Sequence, residues 1–142
     1  MNYLLDTHVC IWAIAEQAKL SSRVKEILQN QENRFWVSQI SLFEIAIKMK
    51  IGKLPEFKTS LSEFINTIYT SGYEMLSVKD EHFEAYNNMK FDDSHRDPFD
   101  RYILASAFYE NMAIITKDEK FQLIENSFKL FGNTSCGEYV SP

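Results

Sequence analysis

Acidic side chains placed at the ends of apolar runs are the residues in this chain whose types and spacing could do chemistry. Asp6 directly follows Tyr3-Leu4-Leu5, and Asp118 closes Ala113-Ile114-Ile115-Thr116-Lys117-Asp118. Asp97 and Asp100 bracket the run Asp97-Pro98-Phe99-Asp100. Each has a purely structural use. Asp6 and Asp118 can cap the helical sequence that follows them, and Asp97 before Pro98 is a strong helix start with Asp100 as its first-turn acid. Glu44 is harder to explain that way. It falls within the helically spaced apolar stripe Ile40, Phe43, Ile47, where a carboxylate is excluded unless it is paired or bound to a cation. Ser41 and Lys48 are the neighbours that could satisfy it structurally. Brought together, such acids would raise one another's pKa, and a compensating cation is needed. Hard divalent ions, Mg²⁺ with Mn²⁺ as its substitute, prefer oxygen ligands and keep waters of their own. That chemistry suits in-line attack on a phosphodiester.

The elements that must position these acids alternate between strand and helix. Tyr3-Leu4-Leu5 reads as a short buried strand, followed by helical sequence through Val9, Trp12 and Ala13. A second helix is expected from Ser21-Ser22 to about Asn30, and a second strand at Arg34-Phe35-Trp36-Val37. From Ser38 the period becomes helical until Gly52 and Pro55. Further helices are expected over Ser60 to Thr70, Lys79 to Met89, and from Pro98 through Ala105-Ser106-Ala107. Extended pieces fall at Tyr73 to Leu76, Ala113 to Ile115 and Phe128 to Phe131. This alternation predicts an α/β domain with a mainly parallel sheet. Such sheets place their chemistry at the carboxyl ends of the strands, which is where Asp6 and Asp118 would emerge together.

With 142 residues and no repeat or linker, the chain is read as one domain. At 45% hydrophobic and 25% charged residues, wholesale disorder is excluded. A formal charge of -5 argues against a passive nucleic-acid coat, which would be basic, and leaves open an enzyme that carries its own metal. The N-terminus lacks a basic region and an apolar stretch of signal-peptide length, and no run is long enough for a membrane span. Cys10 and Cys136 form no CxxC pair, so a reduced, cytoplasmic setting is expected, with Cys10 a small core residue. His8, His82 and His95 share no ligand spacing, and His8 is expected to pack beside Trp12. The nucleotide- and acyl-handling motifs GxGxxG, GxxxxGK[ST] and GxSxG are absent.

Four segments together resemble the PIN-domain ribonucleases, and among them the VapC-like toxins of bacterial toxin–antitoxin pairs. These are Leu4-Leu5-Asp6-Thr7-His8 with Trp12; Val37-Ser38 with Ser41-Leu42-Phe43-Glu44-Ile45-Ala46-Ile47-Lys48; His95-Arg96-Asp97-Pro98-Phe99-Asp100-Arg101 leading into Ala105-Ser106-Ala107; and Ile115-Thr116-Lys117-Asp118 with Phe121. Each is weak alone, and their order along the chain is what makes the combination specific. The resemblance implies a three-layer α/β/α sandwich over residues 1–131, with 132–142 a C-terminal extension of the same domain. It implies a catalytic quartet of Asp6, Glu44, Asp100 and Asp118, in which Asp6, Asp100 and Asp118 hold Mg²⁺. Asp97 then becomes the helix cap and an outer ligand, and Thr116 a hydroxyl that helps hold the site. Arg96, Arg101 and Lys117 are expected to contact substrate phosphates, with Lys50, Lys53 and Lys120 as further cations nearby. Implied partners are RNA, a small cognate antitoxin and a second copy of the chain.

Two rival readings keep the same acids. One is a PIN-fold nuclease acting on DNA, or in RNA processing outside a toxin pair. The other is a non-catalytic PIN module that binds RNA; loss of an acid would favour it, and all four are present.

Overall fold

The computed structural model describes residues 1–55, 57–91, 97–116 and 139–140. Among the described residues five parallel strands form one sheet: β1 (Asn2–Leu5), β2 (Arg34–Ser38), β3 (Glu74–Leu76), β4 (Ala113–Ile115) and β5 (Tyr139–Val140), in the order β3-β2-β1-β4-β5. Between them run α1 (Thr7–Ala15), α2 (Ser22–Gln29), α3 (Gln39–Lys50), α4 (Leu61–Thr70), α5 (Asp80–Asn88) and α6 (Pro98–Tyr109). A single 3₁₀ turn, Gln17–Lys19, follows α1. All of these α-helices but α5, which follows Lys79, start at hydroxyl or carboxylate caps: Asp6, Ser21, Ser38, Ser60 and Asp97 each accept a backbone N–H of the first turn. The turns after α3 and α4 are closed by Gly52 and Gly72, whose φ of 71° and 84° favours glycine.

Alternation along β1 separates two cores. Tyr3 and Leu5 point to one face, with Phe35, Val37, Ala113 and Ile115, against α1, α2, α4 and Ile45 of α3. Leu4, Ile114 and Leu76 point to the other, against Ile103, Leu104 and Ala107 of α6. Helices therefore cover both faces, and the three-layer α/β/α sandwich expected from the sequence is the fold. Cys10 is fully buried in the first core, as expected. The strand expected at 128–131 lies outside the described residues. The fifth strand that is described, Tyr139–Val140, falls within the segment read as a terminal extension and pairs with β4.

The strand order reverses between β1 and β4, with β2 and β3 on one side and β5 on the other. In open parallel sheets a crevice forms at that reversal, outside the carboxyl ends of the strands. β1 and β4 are joined there by the Asp6 N–H donating to the Ile115 carbonyl at 3.0 Å.

Candidate active site

Asp6 sits at the carboxyl end of β1 and is only 4% exposed. Its two oxygens have separate duties. Oδ1 accepts the Val9 N–H at 2.7 Å and so caps α1, while Oδ2 accepts the Thr116 hydroxyl at 2.5 Å from the end of β4. The capping role and the placement at the rim, which the sequence presents as alternatives, hold at once. Thr116 is fully buried and is tied to Asp6 by this bond.

Glu44 is also 4% exposed. The face that α3 turns inward carries Ser41, Glu44 and Ile45, rather than the stripe Ile40, Phe43, Ile47 expected from the sequence. Phe43 is 58% exposed, while Ile40 and Ile47 are half-buried. Glu44 lies one helical position past Phe43, so the carboxylate points in and the ring points out. Burial pushes the Glu44 carboxyl above its ordinary range. Lys48, one turn on, opposes that shift with an ion pair at 3.3 Å; Asp97 adds to it by repulsion, and the Thr7 hydroxyl opposes it. Thr7 in turn donates to the Ser41 hydroxyl at 3.0 Å, tying the start of α1 to α3 beneath Glu44.

The third element is the start of α6. Asp97 Oδ1 accepts the N–H groups of Phe99 and Asp100 at 2.8 and 3.1 Å, so it is the helix cap the sequence predicts. It is more than that. Glu44, Asp97 and Asp100 each bring a carboxylate oxygen within 4.8 Å of the others, spanning buried, exposed and half-buried positions. Asp97, expected only as an outer ligand, thus stands in the same group as Glu44 and Asp100. Asp6 is not a member of that group of three. Three carboxylates at this separation are a group that could hold a metal ion through oxygen.

Of the other expected residues, Arg101 stacks its guanidinium over Phe91 at 5.0 Å from the ring centre. Lys50 and Lys53 are exposed. Asp118, Arg96, Lys117, Lys120 and His95 lie outside the described residues. His8 packs edge-on against Trp12 at 6.2 Å, as expected. One group escaped the sequence reading. His82, fully buried on α5, bonds Tyr102 Oη and Glu110 Oε1, both at 2.9 Å, and Lys79 donates to the same Glu110 oxygen. The signal was present: His82, Ala85 and Met89 fall on one helical face, which makes His82 an inward residue needing partners. This network joins α5 to α6 and holds the helix that carries Asp100.

No curated protein matches the chain in sequence. Several solved structures match its fold over nearly the whole length. VapBC2 from Rickettsia felis, solved bound to a DNA fragment from its promoter, is 20% identical with a TM-score of 0.62, covering 98% of both chains. VapBC-1 from nontypeable Haemophilus influenzae is 23% identical with a TM-score of 0.60, covering 99% of this chain and 98% of that one. VapBC-5 from Mycobacterium tuberculosis, a member of a family of toxin–antitoxin systems, is 16% identical with a TM-score of 0.58 over the same shares. The family model for the PIN domain matches residues 3–126, from the first strand past Asp118, and on that match the chain belongs to the PIN domain family.

Proposed function

We propose that the protein is a divalent-metal-dependent ribonuclease that hydrolyses RNA phosphodiester bonds and serves as the toxin of a type II toxin–antitoxin pair. One observation carries the reading: Glu44, Asp97 and Asp100 converge within 4.8 Å beside the switch point of a PIN sheet. Acids so grouped repel one another, and Glu44 is already held above its ordinary pKa by burial. Of that group Asp100 is the proposed direct holder, with Asp6 and Asp118, expected from the sequence, completing an all-oxygen set that would fit Mg²⁺ or Mn²⁺; Asp97 and Thr116 stand in support, and Glu44 faces the same ion. A divalent ion there supplies positive charge to the phosphate and makes water easier to deprotonate. The remaining work falls to the chain. Glu44 orients water and accepts its proton, which its raised pKa favours. Thr116 fixes the second oxygen of Asp6, and Arg96, Arg101 and Lys117 offer phosphate contacts.

The antitoxin proposal follows from the same charge. A basic side chain from a small partner could take the ion's place among these acids and exclude it. The matching folds come from VapBC proteins, which supports such a partner; a second copy of the chain and a cytoplasmic setting are proposed with it. Among the described residues no helix is long and apolar enough to cross a membrane.

The test is calorimetric titration with Mg²⁺ and Mn²⁺, run beside cleavage of single-stranded RNA, transfer RNA and single-stranded DNA. RNA cleavage abolished by EDTA and restored by either ion is expected. Ca²⁺ should bind and support cleavage poorly, being larger and looser in coordination. Undiminished cleavage in EDTA would remove the metal from the mechanism. Preference for DNA would move the protein to the DNA-nuclease reading, and metal binding without any cleavage to the binding-module reading.

A further inference from the structure

Two aromatic rings flank the carboxylate group, each one residue before an acid: Phe43 before Glu44 on α3, and Phe99 before Asp100 on α6. Their ring centres are 6.0 Å apart at 73°, an edge-to-face contact that bridges the two helices. Phe99 is half-buried, and Phe43 stands 58% exposed. An isolated exposed aromatic is ordinary on a protein surface. This one meets Phe99 edge-to-face between the two helices that carry Glu44 and Asp100, with more than half of its surface open.

We propose that Phe43 is a stacking platform for an unpaired nucleobase next to the phosphate being cleaved, with Phe99 as the ring that orients it. The proposal rests on the ribonuclease reading above and names its substrate class as single-stranded RNA. A base is a flat, uncharged ring, and it meets an aromatic face well whatever its identity. Its own backbone delivers the phosphate to the neighbouring acids and their ion. A docked peptide helix fits less well. It would need a row of exposed apolar anchors, yet Ile40 and Ile47 are half-buried and the exposed neighbours along this face of α3 are Gln39 and Lys50. Bases in a duplex are already stacked and paired, so such a platform selects for loops and single strands.

The probe is a short fluorescein-labelled oligoadenylate, titrated by anisotropy in Ca²⁺ with gel analysis to confirm that it stays intact. Far-UV circular dichroism checks that each variant folds. Phe43→Ala should weaken binding roughly ten-fold, and Phe43→Trp should keep it within about two-fold, as base–aromatic stacking predicts. An oligomer with abasic riboses should bind the wild type and Phe43→Ala alike. Equal oligoadenylate binding by Phe43→Ala and wild type, while the wild type cleaves RNA in Mg²⁺, would overturn the platform and leave the nuclease reading standing. Failure of the wild type to bind any oligomer would overturn both. A Phe43→Ala protein that loses only its affinity for a co-purified small protein would also overturn the platform, making the ring a protein contact.

Discussion

Replacing Glu44 by Gln should make the metal-free protein more stable and the metal-loaded protein less so. The side chain is nearly inaccessible, and burial holds its carboxyl above the ordinary range, with Asp97 adding repulsion. Gln removes the charge and keeps the shape. What is lost is the Lys48 pair at 3.3 Å. The Lys48 side chain is 26% exposed, so its ammonium can turn to water, and such a pair contributes less than about 1 kcal/mol. What is gained is relief from burying a charge that is only partly compensated, a larger quantity in most proteins. The net expectation in EDTA at neutral pH is a gain of about 1 kcal/mol, or roughly 3–5 °C in Tm for a chain this long.

Magnesium should narrow the gap. At ten times its dissociation constant a ligand adds about 1.4 kcal/mol to the wild type. The variant, lacking one acid of the group, should gain less. The pH dependence follows from the sign of the shift. A carboxyl whose folded pKa is raised binds its proton more readily in the folded state, so apo wild-type stability falls as pH rises from the ordinary value of 4.5 through the raised one. The advantage of Glu44→Gln should therefore be absent below that window and full above it. Differential scanning fluorimetry across pH, with EDTA or Mg²⁺, reads all of this. A variant that melts below the wild type in EDTA at neutral pH would show that the protein compensates Glu44 by itself, and the argument from a buried acid to a bound ion would fail.

The cap at Asp97 separates two functions of one residue. Asp97→Asn keeps an acceptor for the Phe99 and Asp100 N–H groups, so stability should change by less than about 0.5 kcal/mol, while Mg²⁺ affinity measured by calorimetry falls less than in Asp100→Asn. Equal losses in the two would make Asp97 a full ligand. Glu110→Ala should cost about 2 kcal/mol in chemical denaturation at neutral pH, since it strips an acceptor from the fully buried His82. Burial alone would raise the Glu110 carboxyl, but bonds from Lys79 and His82 outweigh it and hold it low. Its contribution is thus present above the usual 4.5 and lost as pH falls through the lower folded value, so the variant should show a flatter acid limb.

Local signals made most of the fold legible. Caps at Ser21, Ser38, Ser60 and Asp97 start helices where expected, because a side-chain acceptor one residue before an apolar period is a local device. The α/β alternation was legible for the same reason. The orientation of α3 was not. Glu44 is inward, as its place in the stripe predicts, but Ile40, Phe43 and Ile47 keep helical spacing around it on one side, and Ser41 and Ile45 on the other. Hydrophobicity favours the first set, yet the packing against α1 and α6 buries the second. Tertiary contact decided, through the Thr7–Ser41 bond beneath Glu44. The membership of Asp97 in the acid group was hidden similarly: a cap needs only one oxygen, and sequence shows no direction for the other.

That division of oxygens gives the acids at the starts of α1 and α6 and on α3 structural work of their own. Asp6 caps α1 with one oxygen and takes the Thr116 hydroxyl on the other. Asp97 caps α6, and Glu44 pairs with Lys48. Each of these three carboxylates thus has a local structural partner that offsets part of its repulsion from its neighbours. Folding with these acids charged then requires only that such local bonds together outweigh the residual repulsion. The same bonds fix the geometry in advance, so an arriving ion would meet oxygens already aimed, with little ordering left to do.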